Sequence, residues 1–244
     1  MKAEAWQQHS LLKLTELDTE LSQLAHRAAH LPEQQRYDEV HAAQRAAADR
    51  LSAIRIALED IEAQVSKLES EVNAVRQRED RDRGLMNSGS ISDSKQLSEL
   101  QHELGTLERR QSSLEDSLLE VMERREQLDS DRAAEQAAVD GLDSDLATAQ
   151  QARDVALADI EQGRAEQAAR RAEMTANLQS DLLALYERQR ASTGVGAGRL
   201  QGRRCGACRI ELDRGELARI AAAPEDEVIR CSECQAILLR IPGA

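Results

Sequence analysis

Tyr37, Val40, Gln44, Ala47, Leu51, Ile54, Leu58, Ile61, Val65, Leu68, Val72 and Val75 recur at alternating steps of three and four residues without a slip. All but Tyr37 and Gln44 are aliphatic or alanine. That rhythm holds one apolar stripe of an α-helix against a partner helix, and few folds other than a coiled coil can use it. An earlier run, Leu14, Leu17, Leu21, Leu24, Ala28 and Leu31, keeps the rhythm in a different phase. The phase changes at "HLPEQQRY", where Pro32 removes a helix hydrogen bond and predicts a kink or short break. After a cluster of turn formers (Gly84, Asn87, Ser88, Gly89, Ser90), Asp93 reads as an N-cap, with Gln96 placed to complete a capping box. The seam then resumes at Leu97, Leu100, Leu104, Leu107, Gln111, Leu114, Leu118 and Val121 and runs on to Leu146.

Two heptad arms around one turn predict an antiparallel hairpin. Arms ending near 83 and restarting near 94 would set Gln44 against the layer of Arg132 and Glu135. Such a layer reads either as a polar contact that fixes register at a cost in stability or as a loosely packed, solvated stretch. Met1 would face position 176, leaving the helix about Leu178, Leu182, Leu185 and Tyr186 with no partner in the first arm. Those four residues are therefore candidates for docking the C-terminal domain or a partner protein.

Composition supports a helical protein without a large core: aromatic residues are 1% of the chain, charged residues 32%, and phenylalanine is absent. The net charge of −13 is uneven. From Gly194 onward eight arginines meet seven acidic residues, whereas the rest has 24 basic against 38 acidic residues. An acidic rod repels phosphate, so a nucleic-acid contact would have to be local to the tail. No apolar run reaches the length of an export signal or a membrane span, and a cytoplasmic location is expected.

All four cysteines lie in that tail, as Cys205-x-x-Cys208 and Cys231-x-x-Cys234, separated by 22 residues. A two-residue spacer lets one tight turn aim two thiolates at a single ion, and two such turns complete a tetrahedron. Four thiolates leave no open position, so one structural Zn²⁺ is predicted. A four-thiolate iron centre satisfies the same spacing, while a redox pair would need a βαβ context that is missing. "RIEL", "EVIRC" and "QAILLRI" read as short strands and "GELARIAAA" as a brief helix or loop. Such a unit is too small to fold by apolar burial alone, so the metal would supply its folding energy. The predicted organisation is mainly α: a coiled-coil hairpin over 1–192, with a kink near 32 and a turn at about 84–93, then a linker over 193–202 and a small β zinc ribbon over 203–244.

The hairpin, the turn "LMNSGSISDSKQLSEL", the following "LERRQSSLEDSLLEVMERRE" and the closing "CGAC…RCSECQAILLR" resemble the bacterial C4-type zinc-ribbon proteins with a coiled-coil arm. Members commonly carry glycine after the second cysteine of a knuckle and an aromatic in the last strand. This chain has Arg209, Gln235 and Leu238-Leu239 at those places. The resemblance implies a non-enzymatic binding protein whose partners are nucleic acid or the transcription machinery.

Arg199, Arg203, Arg204 and Arg209 surround the first knuckle and are the candidate nucleic-acid contacts; a solvated surface with local salt bridges is the alternative. Missing aromatics count against single-strand binding by stacking. A protein adaptor, scaffold or chaperone working through ribbon and rod is the competing function, as a monomer or homodimer. Catalysis is not expected, nor is a small-molecule substrate. His9, His26, His30, His41 and His102 are scattered along polar helix faces, and no phosphate-binding glycine motif or nucleophile constellation is present.

Overall fold

The computed structural model describes residues 1–89 and 91–240. Ser90 of the expected turn and Ile241 of the expected last strand lie outside the described residues. In chain order the elements are α1 (Ala5–Ala29), α2 (Pro32–Asn87), α3 (Ser94–Ala176), α4 (Ser180–Thr193), β1 (Ala197–Gln201), β2 (Arg204–Cys205), α5 (Arg214–Ala222), β3 (Ile229–Arg230) and β4 (Ile237–Leu239). They form two compact units, one of residues 35–150 and one combining 1–34 with 151–244.

In the unit 35–150, α2 and α3 pack as an antiparallel pair through the heptad positions. Leu58, Ile61 and Val65 are buried with Val121, and Ala47 and Leu51 with Val139. Ion pairs flank this seam, Arg50 to Glu135 at 2.6 Å and Arg83 to Glu108 at 3.0 Å among them. Their arginines are exposed, so each adds little stability, but together they oppose a slipped register.

The register differs from the expected one. Gln44 donates to Asp143 at 2.9 Å instead of meeting Arg132 and Glu135; Glu135 is taken by Arg50, and Arg132 pairs with Asp129 on its own helix at 3.3 Å. Helix α2 continues through Gly84 to Asn87, so the connection lies later and is shorter than 84–93, and the apolar layers interlock at a different stagger. Asp93 does cap α3, accepting from the Lys95 N–H at 2.9 Å. Near the turn the three-four rhythm passes from Val75 to Glu79, which is buried with its carboxylate 3.3 Å from Arg83.

In the other unit α1 lies antiparallel to the end of α3. Leu24, Ala28 and Leu31 pack on Ala156 and Ile160. Of the two expected outcomes at Pro32 the structure has the short break: the His30 N–H folds back to the His26 and Arg27 carbonyls, and Pro32 opens α2, where a missing N–H costs nothing. After α3 the chain turns and α4 doubles back. Its apolar face is not without a partner in the first arm. Leu178, Leu182 and Tyr186 are buried with Leu11 and Leu14 of α1 and with Ala197, Ile237 and Leu239 of the strands, while Leu185 packs at the edge.

Under this cluster Asp18 is only 6% exposed; it accepts from the Tyr186 hydroxyl at 2.7 Å and from Arg171 Nε at 2.7 Å, and Arg190 forms an ion pair with it at 3.2 Å. Burial raises the Tyr186 pKa and keeps it a donor to Asp18.

Four short strands form one sheet in the order β2-β1-β4-β3, with β1 parallel to β4 and the outer pairs antiparallel. Residues 197–201, expected within the linker, are thus a strand of the sheet, because Ala197 is buried in the core shared with α4. "RIEL" is not a strand: Arg209 turns at φ 64°, and only Glu211 bridges back to Arg204. The N-terminus joins this unit through backbone pairing. The Ala3 N–H donates to the Asp226 carbonyl at 2.8 Å and the Val228 N–H to the Met1 carbonyl at 3.0 Å. Gln8 spans the junction, donating to the carbonyls of Ala3 and Glu225.

Gly196 marks the tightest packing: a Cβ placed there would fall 2.5 Å from the fully buried Tyr186 ring. Gly196→Ala is expected to destabilise this unit by about 1–3 kcal/mol, the usual cost of overpacking. Urea unfolding followed by tyrosine environment and circular dichroism checks it; an unchanged midpoint would show that the ring can move aside.

Candidate metal centre

Each cysteine pair sits on a turn of the same construction. In the first, the Arg209 N–H donates to the Cys205 carbonyl at 2.8 Å and the Cys205 N–H to the Ile210 carbonyl at 3.0 Å. In the second, the Gln235 N–H donates to the Cys231 carbonyl at 3.0 Å and the Cys231 N–H to the Ala236 carbonyl at 2.9 Å. The residue that closes each turn, Arg209 or Gln235, has φ 64°. This left-handed position favours glycine and costs another residue about 1–2 kcal/mol. Gly206 lies against β1, donating to the Arg199 carbonyl at 2.9 Å, and a Cβ there would come within 2.4 Å of that oxygen.

These turns bring Cys205, Cys208, Cys231 and Cys234 together, with all four sulfurs within 4.8 Å of one another. The Cys205 and Cys234 sulfurs are 3.9 Å apart, and those of Cys208 and Cys231 4.0 Å. A tetrahedral ion with Zn–S bonds of about 2.3 Å requires sulfurs about 3.8 Å apart. The donor set fits one structural zinc ion with no open coordination position. Cys205 and Cys231 are buried; Cys208 and Cys234 are half-buried. Burial pushes the Cys234 thiol up to about 12 and also raises Cys205. At Cys208 burial acts upward too, but the Ile210 N–H and the facing thiols outweigh it and leave this thiol below its ordinary value.

The surrounding elements hold the turns in place. Asp213 caps α5 by accepting from the Glu216 N–H at 2.8 Å, and Glu216 in turn accepts from the Ser232 hydroxyl at 2.5 Å, bracing the second knuckle. Arg240 donates to the carbonyls of Ile220, Ala223 and Glu227, closing the far end of α5. The Arg240 bonds were not legible in the sequence, because they go to backbone carbonyls that any residue supplies.

With this geometry the chain can be placed among known proteins. Residues 14–194 match the model of the CT398-like coiled coil hairpin domain, and residues 204–238 match that of the C4-type zinc ribbon domain. The chain belongs to the CT398-like coiled-coil hairpin family. A Mycobacterium tuberculosis protein is 59% identical over 243 residues, covering 100% of this chain and 99% of that protein. A solved structure from Mycobacterium smegmatis superposes with a TM-score of 0.88 at 57% identity, over 98% of this chain and 100% of that one. The structure of CT398 from Chlamydia trachomatis shares the fold, with a TM-score of 0.74 at 14% identity over 96% of this chain and 98% of its own.

The CT398-like hairpin and the zinc ribbon are domains of non-enzymatic type, and their combination suggests a binding protein. No described helix is long and apolar enough to cross a membrane. His26 and His30 stack at 4.2 Å, but the four cysteines are the only metal-holding group of side chains among the described residues.

The candidate arginines are spread around the first knuckle. Arg199 is half-buried on β1, Arg203 lies 3.3 Å from Glu211, and Arg204 and Arg209 are exposed. Sequence reasoning missed Met1–Ala3 and Asp18; the only local signal was an aspartate, Asp18, following Leu14 and Leu17 on a helix that is otherwise apolar on that side.

Metal binding must displace the protons of Cys205 and Cys234, whose pKa is raised, so zinc affinity is expected to rise with pH between 6 and 8 and proton release to accompany binding. Competition with a chromophoric chelator across that range, with Cys231→Ser as the zinc-losing control, checks the sign. Gln235→Gly relieves the left-handed strain without touching a ligand and is expected to slow zinc loss to the chelator severalfold, by about 1 kcal/mol. Faster loss would mean that the Gln235 contact with the Ser232 carbonyl outweighs the backbone strain.

Proposed function

We propose that the zinc ribbon binds nucleic acid, or a nucleic-acid-bound component of the transcription machinery, through the arginines of its first knuckle. The observation that carries this reading is how the ribbon is mounted. Strands β1 and β4 bury one side on α1 and α4, which mounts the first knuckle, and that knuckle carries exposed Arg204 and Arg209, neither in an ion pair among the described residues. Arginine contacts phosphate bidentately and needs no aromatic platform, which suits a duplex or phosphate-only contact better than base stacking. The metal's role is to fold the knuckles, and a cytoplasmic setting would keep the thiols reduced for it. Arg203 is partly committed to Glu211, so Arg204 and Arg209 lead the contact.

Ile210 supports a second reading. It is 48% exposed between Arg209 and Glu211, an apolar residue flanked by both charges, as at the edge of a protein-protein contact. An adaptor that docks a protein on this knuckle, as a monomer or homodimer, uses the same surface.

A salt titration of fluorescent duplex DNA and RNA binding, on zinc-loaded protein, separates the two. The nucleic-acid reading expects log affinity to fall linearly with log salt, and the slope to decrease by about one for each of Arg204→Ala and Arg209→Ala. No binding at low salt by protein with stoichiometric zinc sinks it and leaves the adaptor reading.

A further inference from the structure

His26 and His30 stand four residues apart at the end of α1, the only two of the five histidines at that spacing. Residues four apart share one face of an α-helix, one turn above the other. The structure brings the two rings together: their centroids are 4.2 Å apart and their planes 20° from parallel. Both side chains are exposed, so the pair is open to an ion from solvent.

One hydrogen bond decides which nitrogen of His30 can act as a ligand. Nδ1 of His30 lies 3.0 Å from the His26 carbonyl oxygen. A carbonyl only accepts, so Nδ1 carries the hydrogen, and in the neutral ring the lone pair is then on Nε2. An imidazole that gives one N–H to a backbone carbonyl and keeps its other nitrogen for a ligand is oriented as metal-binding histidines usually are. The His26 ring has no hydrogen bond of its own among the described residues and can present either nitrogen. The pair also lies in the last turn of α1, where unpaired carbonyls and the helix dipole favour a cation. Arg27, the other basic group of that turn, leaves the helix about 100° away from His26.

We propose that His26 and His30 form a two-imidazole chelate for a divalent transition-metal ion, Cu²⁺ foremost. The four cysteines close a whole coordination shell; two imidazoles supply half of one and leave the rest to water, so the ion they take is exchangeable. Two nitrogens and two water oxygens in a plane are the tetragonal set that Cu²⁺ prefers, and Cu²⁺ stands at the top of the affinity order for such ligands. Metal–imidazole bonds of about 2.0 Å at a right angle place the two nitrogens about 2.8 Å apart. From rings stacked at 4.2 Å, the facing edges must close by about 1.4 Å, which the broad second side-chain torsion of histidine can supply. Because His30 is the C-cap, the bound ion ties the end of α1 to the turn before it, just ahead of the break at Pro32.

Cu²⁺–iminodiacetate is the probe, since its chelator shields the ion from the thiolates and leaves positions open for two imidazoles. It is titrated into the zinc-loaded full chain and followed by electron paramagnetic resonance, with electron spin-echo modulation counting the imidazoles on the copper. One equivalent is expected to bind with two imidazoles and with the zinc content unchanged. His26→Ala and His30→Ala are each expected to leave one imidazole and to weaken binding about a hundredfold, the gain that joining two ligands provides. Both positions are exposed and alanine is the best helix former, so neither change threatens folding. His30→Ala combined with Ala29→His keeps the number of histidines but not their spacing, and is expected to bind as weakly as the single substitutions. A single imidazole on the copper of the unsubstituted chain, or no binding by it at about 1 mM, overturns the proposal. So does equal affinity of the spacing variant, because any two exposed histidines would then serve.

Discussion

The buried contact of Tyr186 with Asp18 and Gly196 joins three parts of the chain that are remote in sequence. The hydroxyl ties α4 to α1, and the ring leaves only enough space at position 196 for a glycine as the chain enters β1. Through it the strand that opens the zinc ribbon starts from a defined place on two helices. Asp18 is tolerated as a buried carboxylate because Tyr186 and Arg171 donate to it and two arginines, Arg171 and Arg190, pair with its charge. Removing the acid would strand those cations, so the site ties helix packing and charge pairing to a single residue.

Two forces share the folding of the ribbon, one on each side of its sheet. Toward the helices it is apolar burial, with Ala197, Ile237 and Leu239 packed on α1 and α4. On the other side it is the four thiolates, with Leu212, Ile220 and Ile229 as a small apolar lining. Neither side alone is large enough for an independent domain. Backbone pairing of Met1 and Ala3 with Asp226 and Val228 adds an edge to the same unit. The ribbon therefore presents its knuckles from a fixed mount, which matters for a binding surface built from long, flexible arginines.

What was legible in the sequence followed from local rules. The heptad rhythm, the break at Pro32, the cap at Asp93 and the paired Cys-x-x-Cys turns each depend on residues within one or two turns of one another. The α2–α3 register was not legible, because several staggers bury comparable apolar layers and only the summed packing chooses between them. "RIEL" failed as a strand because closing the knuckle forces Arg209 into a left-handed conformation, a demand made by the metal site and invisible to strand propensity.

The sequence by itself determined that this chain is a helical hairpin followed by a four-thiolate metal site, since periodicity and ligand spacing are properties of neighbouring residues. Tertiary structure alone decided that residues 197–201 are a strand, that the N-terminus is stitched to the ribbon, and that α4 packs against α1. Each of these arises where segments more than 150 residues apart meet, or where a short polar segment takes its conformation from its surroundings. In such places the free energy belongs to the assembled contact and not to any stretch of chain.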